Sequence, residues 1–460
     1  MPAAPTLTHT AVGPTTTLAR FVAHLEFDDI PAATRERAKN ILLDTLASAL
    51  AGRFGDESKQ IRALAETLGR SDEATLITGG GASLAGAALL NAYLVTAVTV
   101  CDVHRATLFH TTPQVIPPAL AIAERVGASG RSLLTAIVAG LEVSVRVAVG
   151  TNYPEFRRRG WHSPGVVGPF GGAAATGKLL GLDAERQRNA FALAGSQSAG
   201  TFAHWGTPTI KFHQCRASLS GVMAGVLAEQ GFRASPEILA HEDGGIFRTY
   251  SDGGRADLVI AGLGDTWTLE QIALRRWPAA SSLQAMITAL FALLDAHAFQ
   301  AGDVAKVAVA LSKTVYDMHG TLAWNDKFKA LLSAPYITAI VLHDRHCWLE
   351  QFQPARYQDP AVDAFARERV TIALDPGLDG NAVRLEVTLR DGRIFRDERS
   401  EARGDPGDPL TRADIVAKLH QAGDAALPPA ALERLVDGVD RIEHLADVRE
   451  WIAILRNVAA

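Results

Sequence analysis

Five short segments of this 460-residue chain place ionisable side chains in otherwise apolar or glycine-rich surroundings. The first is Cys101-Asp102-Val103-His104-Arg105-Ala106-Thr107-Leu108-Phe109-His110. His104 and His110 are six apart, which is not the i,i+4 spacing of two metal ligands on one helix face. A solvated loop is the plain reading; a pocket-mouth loop with His110 as acid or base is the chemical one. The second is His162 in GWHSPG, just after Arg157, Arg158 and Arg159, which should attract anions. The third is Thr207-Pro208-Thr209-Ile210-Lys211-Phe212-His213. A lysine between apolar neighbours can pair a carboxylate, although an ordinary lysine is commoner. The fourth is Arg275 in LRRWP, where a guanidinium offers bidentate carboxylate recognition. The fifth is Tyr336 in APY, for which a core tyrosine is the plain reading.

Other chemistries lack support. Gly172 to Lys178 reads G-x-x-x-x-G-K, but Leu179 stands where a phosphate-binding loop needs Ser or Thr for magnesium. Pro164, Gly165 and Pro169 make a poor buried strand before it. The segment reads instead as a helix with a smooth Ala/Gly face, ending near Gly181. There is no G-x-S-x-G elbow and no dinucleotide fingerprint, and no Cys/His/Asp/Glu spacing supports a metal.

The elements that must position these residues fall into two kinds. Residues 16–276 read as mostly helical, with helices expected at Thr34–Leu50, Ala82–Thr99, Pro117–Arg125, Ser132–Val149, Gly171–Leu180, Ala184–Gly195 and Arg216–Gln230. Strand-like runs follow at Val304–Ser312, Arg369–Leu374 and Ala382–Arg390, with Asp391-Gly392 as a hairpin signal and a helix over Phe328–Leu342. Residues 401–460 turn helical again. The expectation is a mainly α fold: a loose arm over 1–15, a helical domain from 16–276 plus 401–460, and an α/β lid over 277–400.

Net charge is −5, which argues against a nucleic-acid partner held by bulk electrostatics. Three scattered cysteines suggest a reducing, cytoplasmic setting. No secretory signal is expected, and the apolar stretch 120–150 is broken by Glu124, Arg125, Arg131, Glu142 and Arg146, so it reads as buried helix and not as a membrane span.

The order of motifs resembles the MmgE/PrpD family over about Thr17 to Leu455. It rests on RAKNILLDTLASALAG, HTTPQVIPPALAIAE, GWHSPGVVGPFGGAAATGKLLGL, TPTIKFHQCRAS, RRWPAASSLQ and APYITAIVL in that order. The resemblance implies a cofactor-free site between a helical and a lid domain, a homodimer, and a small polycarboxylate substrate. Residue by residue it implies catalytic roles for His110, His162, Lys211 and Tyr336. Asp102, His104, Arg275, His213 and Gln284 would bind substrate. The chain departs from the family pattern at Thr99–Val103, where Asp102 alone survives of an acidic segment. Arg275 stands for a second lysine, and the histidine after the Trp-Pro pair is absent, with Gln284 nearby. The activity implied is proton abstraction α to a carboxylate, with 2-methylcitrate-type dehydration first, and epimerisation of an iminodisuccinate-type substrate or cis-aconitate-type decarboxylation as alternatives. A non-catalytic carboxylate-binding dimer is the reading from another class.

Overall fold

The computed structural model describes residues 12–458. The fold is mainly helical with only small sheets, the largest of them four-stranded and mixed. The chain forms two compact units. One takes the residues up to Ala97, His104–Ile272 and the chain from Ile415 on; the other takes Val98–Val103 and Ala273–Asp414. Most of the expected arm over 1–15 lies outside the described residues, but a helix, Pro14–His24, already begins at Pro14.

The first unit is built around the helix Gly168–Leu179, which packs on Thr209–Glu229, Gly130–Gly150, Thr112–Val126 and Ala184–Gly195. Its composition explains that position. Every residue from Gly168 to Gly177 is buried, and glycines face glycines across the contacts. A methyl group on Gly221 would lie 2.6 Å from the Cα of Gly172 and 2.7 Å from its carbonyl carbon. A methyl on Gly140 would meet the Gly171 carbonyl oxygen at 3.0 Å. Two helix backbones therefore touch, and no side chain separates them. The Gly130–Gly150 helix is long and apolar enough to cross a membrane, but it is a core helix, buried along most of its length.

Several boundaries differ from the sequence reading for local reasons. The helix expected to start at Pro117 starts at Thr112, because Pro113 already fixes the first-turn backbone, and Pro117 and Pro118 sit inside it. The helix expected from Arg216 begins at Thr209, which puts Lys211 and His213 on its first turns. The tail returns to the first unit through a fully buried ion pair, Lys418 Nζ to Asp44 Oδ1 at 2.6 Å.

The second unit carries a four-stranded sheet in the order Val370–Leu374, Val304–Leu311, Val383–Leu389, Ile394–Arg399. The first pair is parallel and the others antiparallel. Val383, Leu385, Val387 and Leu389 alternate inward, and the helix Gln284–Ala296 packs on that strand and the next. Asp391-Gly392 makes the expected turn, with Gly392 at φ 89° and Asp391 Oδ1 accepting from the Arg393 amide at 3.0 Å. The helix expected over Phe328–Leu342 is split. Lys327–Ala330 is a single turn, and Ala334–Asp344 restarts because Ser333 caps it and Pro335 sits in its first turn. Residues 401–414 belong to this unit, where the Leu274 amide donates to the Gly404 carbonyl at 2.9 Å.

Gly221→Ala forces a methyl into backbone, which nothing flexible can relieve. It should destabilise the chain by about 1–3 kcal/mol. Denaturant unfolding checks this; an unchanged midpoint would show that the two helices can separate without cost.

Candidate active site

In the first unit the Gly168–Leu179 helix and its partner Thr209–Glu229 together place a histidine cluster. His162 precedes the turn Ser163–Val166 that leads into the first helix, and His213 lies on the second. Their rings meet edge to edge: His162 Nδ1 and His213 Nδ1 are 3.1 Å apart. The His213 ring lies so close to Gly200 that a methyl there would be 3.0 Å from its Nδ1. Arg216, one turn further on, fastens the surrounding loops: its guanidinium donates to the carbonyls of Gly165 at 2.7 Å and Ala199 at 3.0 Å, and also to Gln197. The Ser163 hydroxyl donates to the Thr107 carbonyl at 2.9 Å, tying in the loop that carries His104 and His110.

Both rings of the pair are held neutral. Burial pushes His162 well below the usual imidazole range, and the neighbouring His213, His110 and Arg157 disfavour its protonated form further. Burial likewise lowers His213, to about 4, with His204 and Arg216 contributing. A hydrogen bond between two Nδ1 atoms requires one to carry the proton and the other to lack it. The donor ring then has a bare Nε2 and the acceptor ring a protonated one, so the pair presents one basic and one acidic nitrogen. The roles exchange when the basic Nε2 takes up a proton, the shared proton crosses between the Nδ1 atoms, and the other Nε2 gives its proton up, so that both rings end neutral.

Around the pair stand aromatic groups. His204 meets the His213 ring edge-on at 5.5 Å, and Phe202 lies 6.1 Å from the His162 ring. Arg157 caps Phe202 at 3.5 Å, a cation–π contact that leaves a fixed positive charge beside the cluster.

Lys211 makes a different set of contacts. Its Nζ lies 3.3 Å from Glu57 Oε2, and that same oxygen accepts a hydrogen bond from the Tyr93 hydroxyl at 2.6 Å. The Glu57 amide in turn donates to the Tyr93 oxygen at 3.0 Å. Lys211 is buried, so the carboxylate keeps its ammonium in place without removing the charge. Burial, with the Glu57 bond, raises the Tyr93 hydroxyl far above the ordinary tyrosine range, so it stays a donor.

His104 is buried, with Nδ1 2.7 Å from the Thr107 hydroxyl and Nε2 3.2 Å from Gln271 Oε1. The Gln271 oxygen only accepts, so Nε2 carries the proton. His110 is half-buried in the same loop, and the Gln114 amide donates to the backbone oxygen of His110 at 2.5 Å. His104, His110, His162, Lys211 and His213 thus all belong to the first unit.

Asp102, Arg275, Gln284 and Tyr336 belong to the second. Asp102 is fully buried. Arg275 donates to the Cys101 carbonyl at 2.6 Å, the Ala279 carbonyl at 3.2 Å and the Cys101 sulfur at 3.1 Å. Gln284 folds its amide over the Trp277 turn, donating to the carbonyls of Trp277 at 3.0 Å and Ala279 at 3.3 Å. Tyr336 is fully buried and donates its hydroxyl to the Gln351 carbonyl. Among the described residues no group of three His, Cys, Asp or Glu is arranged to hold a metal ion.

Sequence reasoning missed Glu57, Tyr93, His204 and Arg216. Glu57 sits in Asp56-Glu57-Ser58-Lys59, which reads as a solvated charge run, and 154 residues separate it from Lys211. His204 had the better signal, since Phe202-Ala203-His204-Trp205 sets two aromatics beside a histidine.

The neutral pair makes stability depend on pH. The folded rings sit below the unfolded value of 6.5, so as pH falls through 6.5 the unfolded chain takes up protons that the folded chain refuses. Stability should therefore decline from 6.5 downward, with the His213 contribution levelling off near its folded value of about 4. Thermal melts across that interval check this. His213→Asn should flatten the decline, and a slope identical to that of the parent chain would show that the ring is not held neutral.

Comparison with known proteins finds relatives along most of the chain. A cis-aconitate decarboxylase-like protein of Aspergillus oryzae is 27% identical, covering 96% of this chain and 97% of its own length. The cis-aconitate decarboxylase of Aspergillus terreus is 24% identical over 96% of each chain. That of Homo sapiens is 26% identical over 77% of this chain and 75% of its own. Residues 16–258 match the MmgE/PrpD N-terminal domain and residues 277–442 the MmgE/PrpD C-terminal domain, so the chain belongs to the MmgE/PrpD family.

Proposed function

We propose that this enzyme, a lyase by its family, decarboxylates a small unsaturated tricarboxylate of the cis-aconitate type, with the His162–His213 pair as its proton carrier. The observation that carries the reading is the pair itself: two neutral imidazoles bonded through Nδ1, with one basic and one acidic nitrogen left over. Loss of CO2 from such an acid leaves an electron pair delocalised towards a remaining carboxylate. A proton must then reach carbon, and a neutral N–H relay can deliver it and be restored from water. The relatives named as cis-aconitate decarboxylases favour this outcome over the dehydration expected first, in which the same carbanion-like species would expel a β-hydroxyl.

Lys211 takes the electrostatic role. Its buried ammonium, oriented by Glu57, would stabilise the second negative charge that develops on the substrate carboxylate in the transition state. Arg157 lends positive charge to the same cluster. Arg275 and Tyr336 are proposed as further substrate-side residues, as the motif order implies. Their donors already engage backbone, which suits holding shape more than moving protons. A homodimer is proposed as well. Met223 and Leu227 are exposed beside an apolar groove of about 600 Å³ that Leu84, Leu193 and Val222 also line.

The test is a panel of di- and tricarboxylates incubated with the protein in D2O and followed by NMR. The expected result is CO2 release from cis-aconitate with one deuterium fixed in the product. Water loss from a hydroxy acid would make the enzyme a dehydratase, exchange without bond loss an epimerase, and no turnover of any acid would leave only carboxylate binding. Lys211→Ala should keep the fold and lower kcat by about 10²–10³-fold, because the lost interaction strengthens in the transition state. Lys178→Ala, in the motif that imitates a phosphate loop, should leave kcat unchanged.

A further inference from the structure

A second constellation lies in the other unit, away from the histidine cluster in the chain and unused by the proposed reaction. Ser282 Oγ is 2.7 Å from His319 Nε2, and His319 Nδ1 is 2.8 Å from the Leu332 carbonyl oxygen. A carbonyl can only accept, so Nδ1 carries the imidazole proton and Nε2 is bare. The serine hydroxyl must then donate to Nε2. This is the order of contacts that turns a serine into a nucleophile: hydroxyl, base, and a third group fixing the tautomer of the base.

The surroundings hold that order in place. His319 lies on a single π-helical turn, Tyr316–Gly320, a distortion frequent at functional sites. The turn is clamped because the Ser333 hydroxyl donates to the Leu322 carbonyl at 2.7 Å. The Ala280 amide donates to the Leu331 carbonyl at 3.0 Å, so the segment carrying Ser282 is fixed to the strand of chain that orients His319. His319 is fully buried, whereas Ser282 is half-buried in the turn Ser281–Leu283 that leads into the helix Gln284–Ala296. Burial lowers the imidazole to about 4, so the ring is neutral at neutral pH.

The geometry points to Ser282 as a nucleophile activated by His319, able to take the acyl group of a small ester or thioester. In that step the Ser282 O–H bond breaks and its proton passes to His319 Nε2. The serine oxygen bonds to the acyl carbon, and the alcohol or thiol leaves with the proton that His319 returns. Water then releases the acid by the same path.

The experiment is acylation of the full-length protein by p-nitrophenyl acetate, quenched in acid and mapped by peptide mass spectrometry. The expected result is an acetyl group on Ser282, absent in Ser282→Ala and formed about 10²-fold more slowly in His319→Gln, the contribution of a positioned general base. No acetyl on Ser282, or the same rate in His319→Gln, would overturn the assignment. A Ser282→Cys variant leaves His319 untouched and guards against misfolding of the other. Its thiol should alkylate faster than the buried Cys101, Cys215 and Cys347, and a thiol no faster than those three would equally count against it.

Discussion

Two helix backbones in direct contact set the scale of the first unit. Gly172 and Gly221 leave no room for a side chain between them, so the helices Gly168–Leu179 and Thr209–Glu229 approach as closely as main chain allows. His162 stands just before one helix and His213 on the first turns of the other. Their 3.1 Å separation is thus inherited from a glycine contact elsewhere along the same two helices. Arg216 completes the restraint by gathering the 165, 197 and 199 carbonyls onto one guanidinium, which fixes loops that would otherwise be free to carry His162 away.

That arrangement has a thermodynamic cost. Two imidazoles out of water and beside Arg157 and Arg216 disfavour any added proton, so neutrality comes from burial first and neighbouring charge second. The same chemistry requires the opposite at Lys211. There the charge is retained, and the chain supplies a carboxylate from Glu57, itself held by Tyr93 through both its side chain and its amide. His213 of the uncharged relay and Lys211 of the charged clamp lie on one helix and differ in whether a carboxylate stands beside them.

How much was legible follows from how local each signal is. The α-helical class, the strands and the Asp391-Gly392 turn came from periodicity and turn chemistry, which act over a few residues. His162, His213 and Lys211 stood out because glycine-rich or apolar neighbours made them anomalous. Glu57, Tyr93 and Arg216 did not, because an acidic residue in a charged run, a tyrosine in an apolar helix and an arginine in a small-residue helix are each ordinary where they stand. Their roles exist only after residues 154, 36 and 51 positions away are brought to them. Helix starts were misjudged where one proline outranked another: Pro113 took the first-turn position that Pro117 had been expected to hold.

The segment that imitates a nucleotide motif shows why spacing needs context. Gly172 and Gly177 sit on a buried helix, and neither lies in an open loop. Gly172 admits the backbone of Gly221, and Gly177 faces the side chain of Gln187. Lys178 points the opposite way, its Nζ on the Ala23 carbonyl at 3.2 Å and near Glu26 at 3.7 Å. A phosphate would need amide hydrogens free of the helix ladder, and inside a helix they are already bonded. The glycines are therefore there for contact between helices. The same demand for close contact that rules out a phosphate cradle brings His162 against His213, so the false motif and the proton relay have one physical cause.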